Sequence, residues 1–473
     1  MSERASKGIV IFSVVLGVPA LALVAYLRPG YFTNLAILGG LLLLELLALA
    51  VWMYRRVFFP IILVAFLFAG TELPVGAFWT QLRWVFLFVG ALVGSIIMLR
   101  DRGYRIGWFH VLALFAVLAA LVSAAVSRYS SLSFLKVFSL LLLFVYAGTG
   151  ARLAAAGREN RFFAGLLTGC EIFVGAVGAF YVVGIDVMGN PNSLGAVMGV
   201  AGAPILLWGI LVTEEPFVRR RRTVLFAVAC YLTFASHARA SMASCFIACG
   251  LLCVALRKYR MLINGIVVIA IVGAAAAIFQ PEQFAQTTEA LTATVIFKGK
   301  SPSDGLLASR ESPWQDTVDA IHKHFWFGTG FGTSDNGQDA TENVGKFSTI
   351  VAASSEHGSS YLAITSWVGM VGVLPFLMLL LVLLRKIFET VVWMRRTGSP
   401  YHPAAPLAMV LLAGMLHATL EDWLFAPGYH LCVFYWSIAF IFADVAPSSR
   451  ISALASRWRP SVAEIGKRLL HTA

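Results

Sequence analysis

The sequence predicts an all-α polytopic membrane protein with about fourteen transmembrane helices, within a range of 12–14. Three observations predict it. Of 473 residues, 59% are hydrophobic and only 13% are charged, and the mean hydropathy is +0.81; a soluble chain could not bury that much apolar surface, so its solvent is lipid. The apolar residues come in runs close to the roughly 20 residues that a bilayer core about 30 Å thick requires. The basic residues, finally, are shared unevenly between alternate connections, which is the orientation signal of a polytopic chain.

The runs fall at 8–26, 34–53, 57–70, 84–99, 107–126, 133–150, 162–184, 192–213, 223–236, 241–256, 261–279, 358–384, 404–419 and 429–445. The third and ninth are short, which sets the lower limit of the range. The first run, "MSERASKGIVIFSVVLGVPALALVAY", has a basic start and an apolar core and reads as an uncleaved first helix. With the N-terminus in the cytoplasm, 26 of the 36 basic residues lie in cytoplasmic segments, and both termini are cytoplasmic. The net charge of +12 is therefore mostly topological, and a nucleic-acid partner is excluded. The ten exceptions are Arg28, Arg83, Arg128, Lys136, Arg239, Lys298, Lys300, Arg310, Lys323 and Lys346. The six cysteines all fall within runs, so no disulfide framework is implied. Cys245, Cys249 and Cys253 line one helix face, where small side chains let helices approach closely; no metal site is read.

Four parts follow along the chain: an N-terminal transmembrane bundle (1–279), a long outer loop (280–357), C-terminal transmembrane helices (358–445) and a basic cytoplasmic tail (446–473). A loop of nearly eighty residues in a compact bundle is functional or disordered. This one contains "SPWQDTVDAIHKHFWFGTGFG", with Ser312 as the expected cap, Pro313 at the first helical position and Gly328 closing the helix. Trp314, Val318, Ile321 and Phe325 recur at helical spacing, so the segment reads as an amphipathic helix on the outer face.

Ionisable groups gather on that face. "SHARAS" (236–241) is a tight turn that puts Arg239 at the membrane border, where the bland reading is snorkelling or a lipid phosphate. "LLASRESPW" (306–314) puts Arg310 just before the loop helix, where the bland reading is a solvated pair with Glu311. Glu356 and His357 open the next apolar run, and there a histidine reads either as a helix-end donor or as a base poised near neutral pH. Two arginine forks suit a diphosphate, because each binds phosphate oxygens bidentately. A histidine suits a hydroxyl that must lose its proton as it attacks. Together these are groups for a lipid-diphosphate donor and a hydroxyl acceptor.

The order "GNPNSLG" (189–195), "SHARAS" (236–241), "SRESPW" with "HKHFWFGTGFG" (309–332) and "EHGSSYLAITSWVGMVG" (356–372) resembles the bacterial O-antigen ligase and O-antigen or exopolysaccharide polymerase superfamily over about 185–385. The resemblance implies a GT-C-like membrane glycosyltransferase that moves a glycan from undecaprenyl diphosphate to an acceptor sugar, or to lipid A–core, at the periplasmic face of the inner membrane, with no metal or other cofactor. It places the family's two functional arginines on Arg239 and Arg310 and its histidine on His357. Substrate contacts are expected at Arg128, Asn190, Glu356 and Asp422. Each has a second reading: lipid-phosphate contact for Arg128, helix capping for Asn190, a tautomer-holding neighbour of His357 for Glu356, and a solvated acid beside an interfacial Trp423 for Asp422. Trp79, Trp84, Trp314, Trp326 and Trp367 read as interface-belt residues. The rival reading is a polysaccharide-lipid flippase or transporter, which needs ionisable residues along a path inside the spans. Here Glu45 and Glu171 are the main ones.

Overall fold

The computed structural model describes residues 47–71, 76–100, 106–279, 308–334 and 357–447, with single positions at 26, 282 and 289. The run at 8–26, most of that at 34–53, Glu356, the loop over 335–356 and the tail beyond 447 lie outside the described residues. The described helices are α1 (Tyr54–Ala69), α2 (Gly76–Arg100), α3 (Trp108–Val126), α4 (Ser130–Ala155), α5 (Glu159–Val182), α6 (Pro191–Val212), α7 (Pro216–Ala235), α8 (Arg239–Ala255), α9 (Tyr259–Phe279), α10 (Ala308–Lys323), α11 (Ser360–Thr397), α12 (Ala404–His417) and α13 (His430–Val445). No strand occurs among the described residues. Every apolar run from 57 onward is thus a helix, and α10 is the helix of the long loop. By length and composition α2, α3, α4, α5, α6 and α11 can each cross a membrane, while α8, α12 and α13 are shorter apolar helices.

The centre is built from α6, α12 and α13. The α12 sequence, AAPLAMVLLAGMLH, is apolar all the way round and buried almost throughout, as such a helix must be. Trp436 of α13 meets Phe144 of α4 edge-on at 5.0 Å, and its indole donates to the Leu424 carbonyl at 2.7 Å. By contrast, α3 exposes Phe115, Leu118 and Val122, a surface suited to acyl chains.

The end of the bundle away from α10 is closed by ion pairs. Arg152, buried, meets both carboxylate oxygens of Asp444, at 2.5 and 3.0 Å. Glu171, inside α5, receives Arg222 at 2.7 Å and Arg221 at 2.6 Å. The sequence reading began the apolar run here at 223. The helix α7 begins earlier, at Pro216, so Arg222 lies well inside it and buried, where Glu171 neutralises it. An unpaired charge at that depth would cost several kcal/mol, which is why the two occur together.

The loop helix also departs from expectation. It begins at Ala308, Pro313 lies inside it, and Ser312 does not cap it. Its packed side carries Arg310, Trp314, Thr317 and Ile321, while Val318 and Phe325 point outward. The apolar spacing gave the period correctly but not the face, because the inward positions include an arginine and a threonine with polar partners across the interface.

Helix α11, packed along α3, is broken at Gly369, whose φ is +69°. The break exposes main-chain groups that the segment after α10 uses. Thr329 N–H donates to the Ser366 carbonyl at 2.9 Å and Gly330 N–H to Trp367 at 3.0 Å, while Met370 N–H donates to Phe325 at 2.8 Å. A Cβ on Gly369 would overlap the Trp326 carbonyl, and one on Gly328 (φ +73°) would overlap that of Trp367. These two glycines are therefore needed for contact as well as for conformation.

Candidate functional site

Four elements converge at the α10 end: the α7–α8 turn, α10, the start of α11, and the 418–429 connection between α12 and α13. Arg239 is the first residue of α8. The turn before it is tight: Ser236 Oγ donates to the Thr233 carbonyl at 2.7 Å and accepts from Ala238 N–H at 3.3 Å. His237 takes a left-handed conformation, with φ +52°. A non-glycine residue pays for that conformation, and strain of this kind concentrates at working sites. Gly195 of the N-P-N-S-L-G segment lies directly against this turn.

Arg310 sits buried in the first turn of α10 and pairs with the Glu421 carboxylate. Arg310 and Arg239 are close enough that their like charges oppose each other. Two guanidinium groups at one end of a bundle supply the donors that bind phosphate oxygens bidentately.

His357 is 2% exposed. Its Nε2 accepts the Trp367 indole N–H at 3.0 Å. Thr317 Oγ1 lies 3.0 Å from Nδ1 and donates its own proton to the Pro313 carbonyl at 2.6 Å. The imidazole is therefore the neutral Nδ1–H tautomer, donating to Thr317. Burial pushes the His357 pKa down, nearby Asp422 opposes that shift and Lys136 adds to it. Its backbone N–H donates to Asp422 at 3.0 Å. This relay fastens α10 to α11.

A second relay has the same form. His417 Nδ1 accepts the Trp423 indole N–H at 2.7 Å, so its Nε2–H donates to Ser241 Oγ at 2.9 Å. It fastens α8, two residues after Arg239, to the 418–429 connection. Each relay thus anchors the element that carries one arginine. The connection itself is tied to α11: the Glu421 carbonyl accepts Ser360 N–H at 3.0 Å and Ser360 Oγ at 2.7 Å.

Of the expected site residues, Arg239, Arg310, His357 and Asp422 come together here. Asn190 caps α6, its side chain accepting Asn192 N–H at 2.8 Å. Three residues on, Ser193 accepts the Tyr429 hydroxyl at 3.1 Å, which ties the N-P-N segment to the 418–429 connection. Arg128 is exposed and packs over Tyr129 at 5.6 Å, next to Ser127, which donates to the Thr329 carbonyl at 2.8 Å. Trp367 and Trp423, read as interfacial, are buried instead, because each indole N–H has a histidine to serve. Sequence reasoning missed His417, Glu421 as the partner of Arg310, and Lys136, which donates to the Gly332 carbonyl. Only Glu421 carried a signal, as a carboxylate at the mouth of a span.

No curated protein matches the chain. Residues 223–377 match the family model described as O-Antigen ligase. That stretch contains Arg239, Arg310 and His357, and ends just past the break in α11. The match supports the O-antigen ligase superfamily that the motifs resemble, in a chain with six described helices long and apolar enough to cross a membrane.

Proposed function

We propose that the protein transfers a glycan from undecaprenyl diphosphate to an acceptor sugar hydroxyl at the periplasmic face of a bacterial inner membrane, by a single inverting displacement that needs no metal. The convergence of Arg239 and Arg310 inside the matched stretch carries the reading. Both guanidinium groups bind the donor's diphosphate and stabilise the charge that builds on it as it leaves. His357 serves the acceptor step by holding α10 against α11, so that the hydroxyl meets the anomeric carbon at the border that a periplasmic sugar and a membrane-held donor can both reach. Asp422 keeps His357 in place, and Asn190, Arg128 and Glu356 contribute to the surface that receives the glycan and the lipid head.

The acceptor decides between two members of the class. Purified protein is incubated with labelled lipid-linked glycan, alone and then with lipid A–core. Chain growth without added acceptor identifies a polymerase, and a single transfer onto the core identifies a ligase. No transfer in either condition sinks the reading. A flippase is the alternative, favoured by the ionisable Glu171–Arg222 pair inside the spans. A transporter would leave the labelled glycan unchanged in detergent. Reporter fusions at residue 330 and at the C-terminus are expected on opposite sides of the membrane, and a cytoplasmic 330 would end the topological part of the proposal.

A further inference from the structure

We infer that Glu421 takes the acceptor's proton, and that donor binding frees it to do so; this rests on the glycosyl-transfer reading above. The first observation concerns what His357 has left to offer. Its Nε2 lone pair holds the Trp367 N–H, and its Nδ1 proton goes to a threonine whose own proton is committed. At 2% exposure it is a closed unit. Asp422 is likewise engaged by the His357 backbone N–H.

The Glu421 carboxylate is placed differently. It lies on the Arg310 guanidinium, with its side chain 18% exposed against 9% for that of Arg310. Its backbone is fixed by Ser360 through two hydrogen bonds, and the next two residues serve the two histidine relays. It is thus a carboxylate of fixed origin beside the arginine that would bind the leaving group, on the more open side of the pair.

Electrostatics supplies the trigger. Without donor, Arg310 holds the carboxylate ionised and unreactive. A diphosphate that occupies Arg310 and Arg239 competes for the same guanidinium and brings negative charge next to Glu421. Both effects raise the proton affinity of the carboxylate. In the step itself the acceptor oxygen bonds to the anomeric carbon, the bond from that carbon to the diphosphate oxygen breaks, and its electron pair leaves with the diphosphate. The hydroxyl proton passes to Glu421 and from there to solvent. The base is thus strong only when a donor is bound.

The test uses the purified full chain with lipid-diphosphate glycan and acceptor, comparing wild type, Glu421→Gln, Glu421→Asp and Glu421→Ala. Gln keeps an oxygen for Arg310 but cannot take a proton. The expected result is a kcat about 10²–10⁴-fold lower for Gln, with the donor KM unchanged or lower. Asp is expected to exceed Gln by about tenfold, and added formate to restore transfer in the Ala variant by a similar factor. A Gln variant within about threefold of wild-type kcat overturns the inference, as does a loss confined to donor KM, which is what a mere ion-pair role would give. If the Gln variant fails to fold, Asp and formate-supplemented Ala decide: no recovery in either overturns the inference. Wild-type protein that transfers nothing removes the parent reading and this inference together, whereas active wild type beside an active Gln variant removes only this one.

Discussion

The two ends of the bundle bury arginines to a similar extent and use them differently. At the end away from α10, Arg152 and Arg222 are 4% and 8% exposed, and each meets a carboxylate from another helix. At the α10 end, Arg310 is 7% exposed and leans on Glu421, while its charge works against Arg239. Burial therefore does not separate a structural arginine from a working one. What separates them is the company each keeps: the first two meet acids of neighbouring helices, whereas Arg310 has a second guanidinium, that of Arg239, within range of its charge.

The largest effect should come from removing either of those two guanidinium groups. Arg239→Ala or Arg310→Ala is expected to lower transfer by about 10²–10³-fold each, measured as turnover of labelled lipid-linked glycan. Lys should rescue little, since a point charge does not reproduce a bidentate fork. Full activity in the double Ala variant would show that the two ends do not differ in function. His357→Ala tests the same end one step removed, because it unfastens α10 from α11 and so releases Arg310. Transfer should fall strongly while the donor still binds, and wild-type rates would show that the relay only packs.

At the opposite end the sign reverses. Arg152→Ala strands Asp444, which is partly open to solvent, and should destabilise the fold by about 1–3 kcal/mol, read as a lower melting temperature in detergent, while turnover per folded molecule stays near normal. A selective loss of turnover there would merge the two classes of arginine. Between the ends, Gly369→Ala should cost about 1–3 kcal/mol for a backbone region essentially reserved for glycine, and more for the overlap with Trp326. It should free the segment after α10 to proteolysis before the bundle melts. The smallest effect is a pH dependence. His357 is held neutral below its ordinary value of 6.5, so its contribution to docking α10 is present above about pH 6.5 and is lost as pH falls from there toward the lowered value, when the imidazole must charge. Protection of the loop should weaken on acidification in wild type and not in His357→Gln; equal behaviour in both would assign the change to another group.

How much of this the sequence disclosed follows from what each feature depends on. Hydropathy found every described helix except α10, because lipid solvation acts on each run separately. Helical spacing found α10 but mistook its inward face, because Arg310 and Thr317 turn inward only when Glu421 and His357 are there to meet them. The convergence of Arg239 with Arg310 was inferred from residue type and side of the membrane, both of which local sequence carries. His417 and the buried indoles of Trp367 and Trp423 stayed invisible for the opposite reason. In a linear reading, a histidine at a span end and a tryptophan near it look interfacial, and only tertiary contact makes them a pair. The pairing of Arg221 and Arg222 with Glu171 stayed hidden because a run of four arginines looks uniform in a linear reading.

The seam between broken α11 and the segment after α10 is written in main-chain atoms, so it asks almost nothing of side-chain identity beyond its glycines. Phe325, Trp326 and Phe327 stand exposed on that segment while their neighbours' peptide groups hold it in register. Such an arrangement leaves the outward surface free to vary while main-chain bonds keep the segment in register. Polar or bulky replacements at 325–327 should alter which lipid or glycan is preferred and leave the loop docked, and a screen that found these positions intolerant of change would contradict it. A family with this seam can change customers without rebuilding its machine.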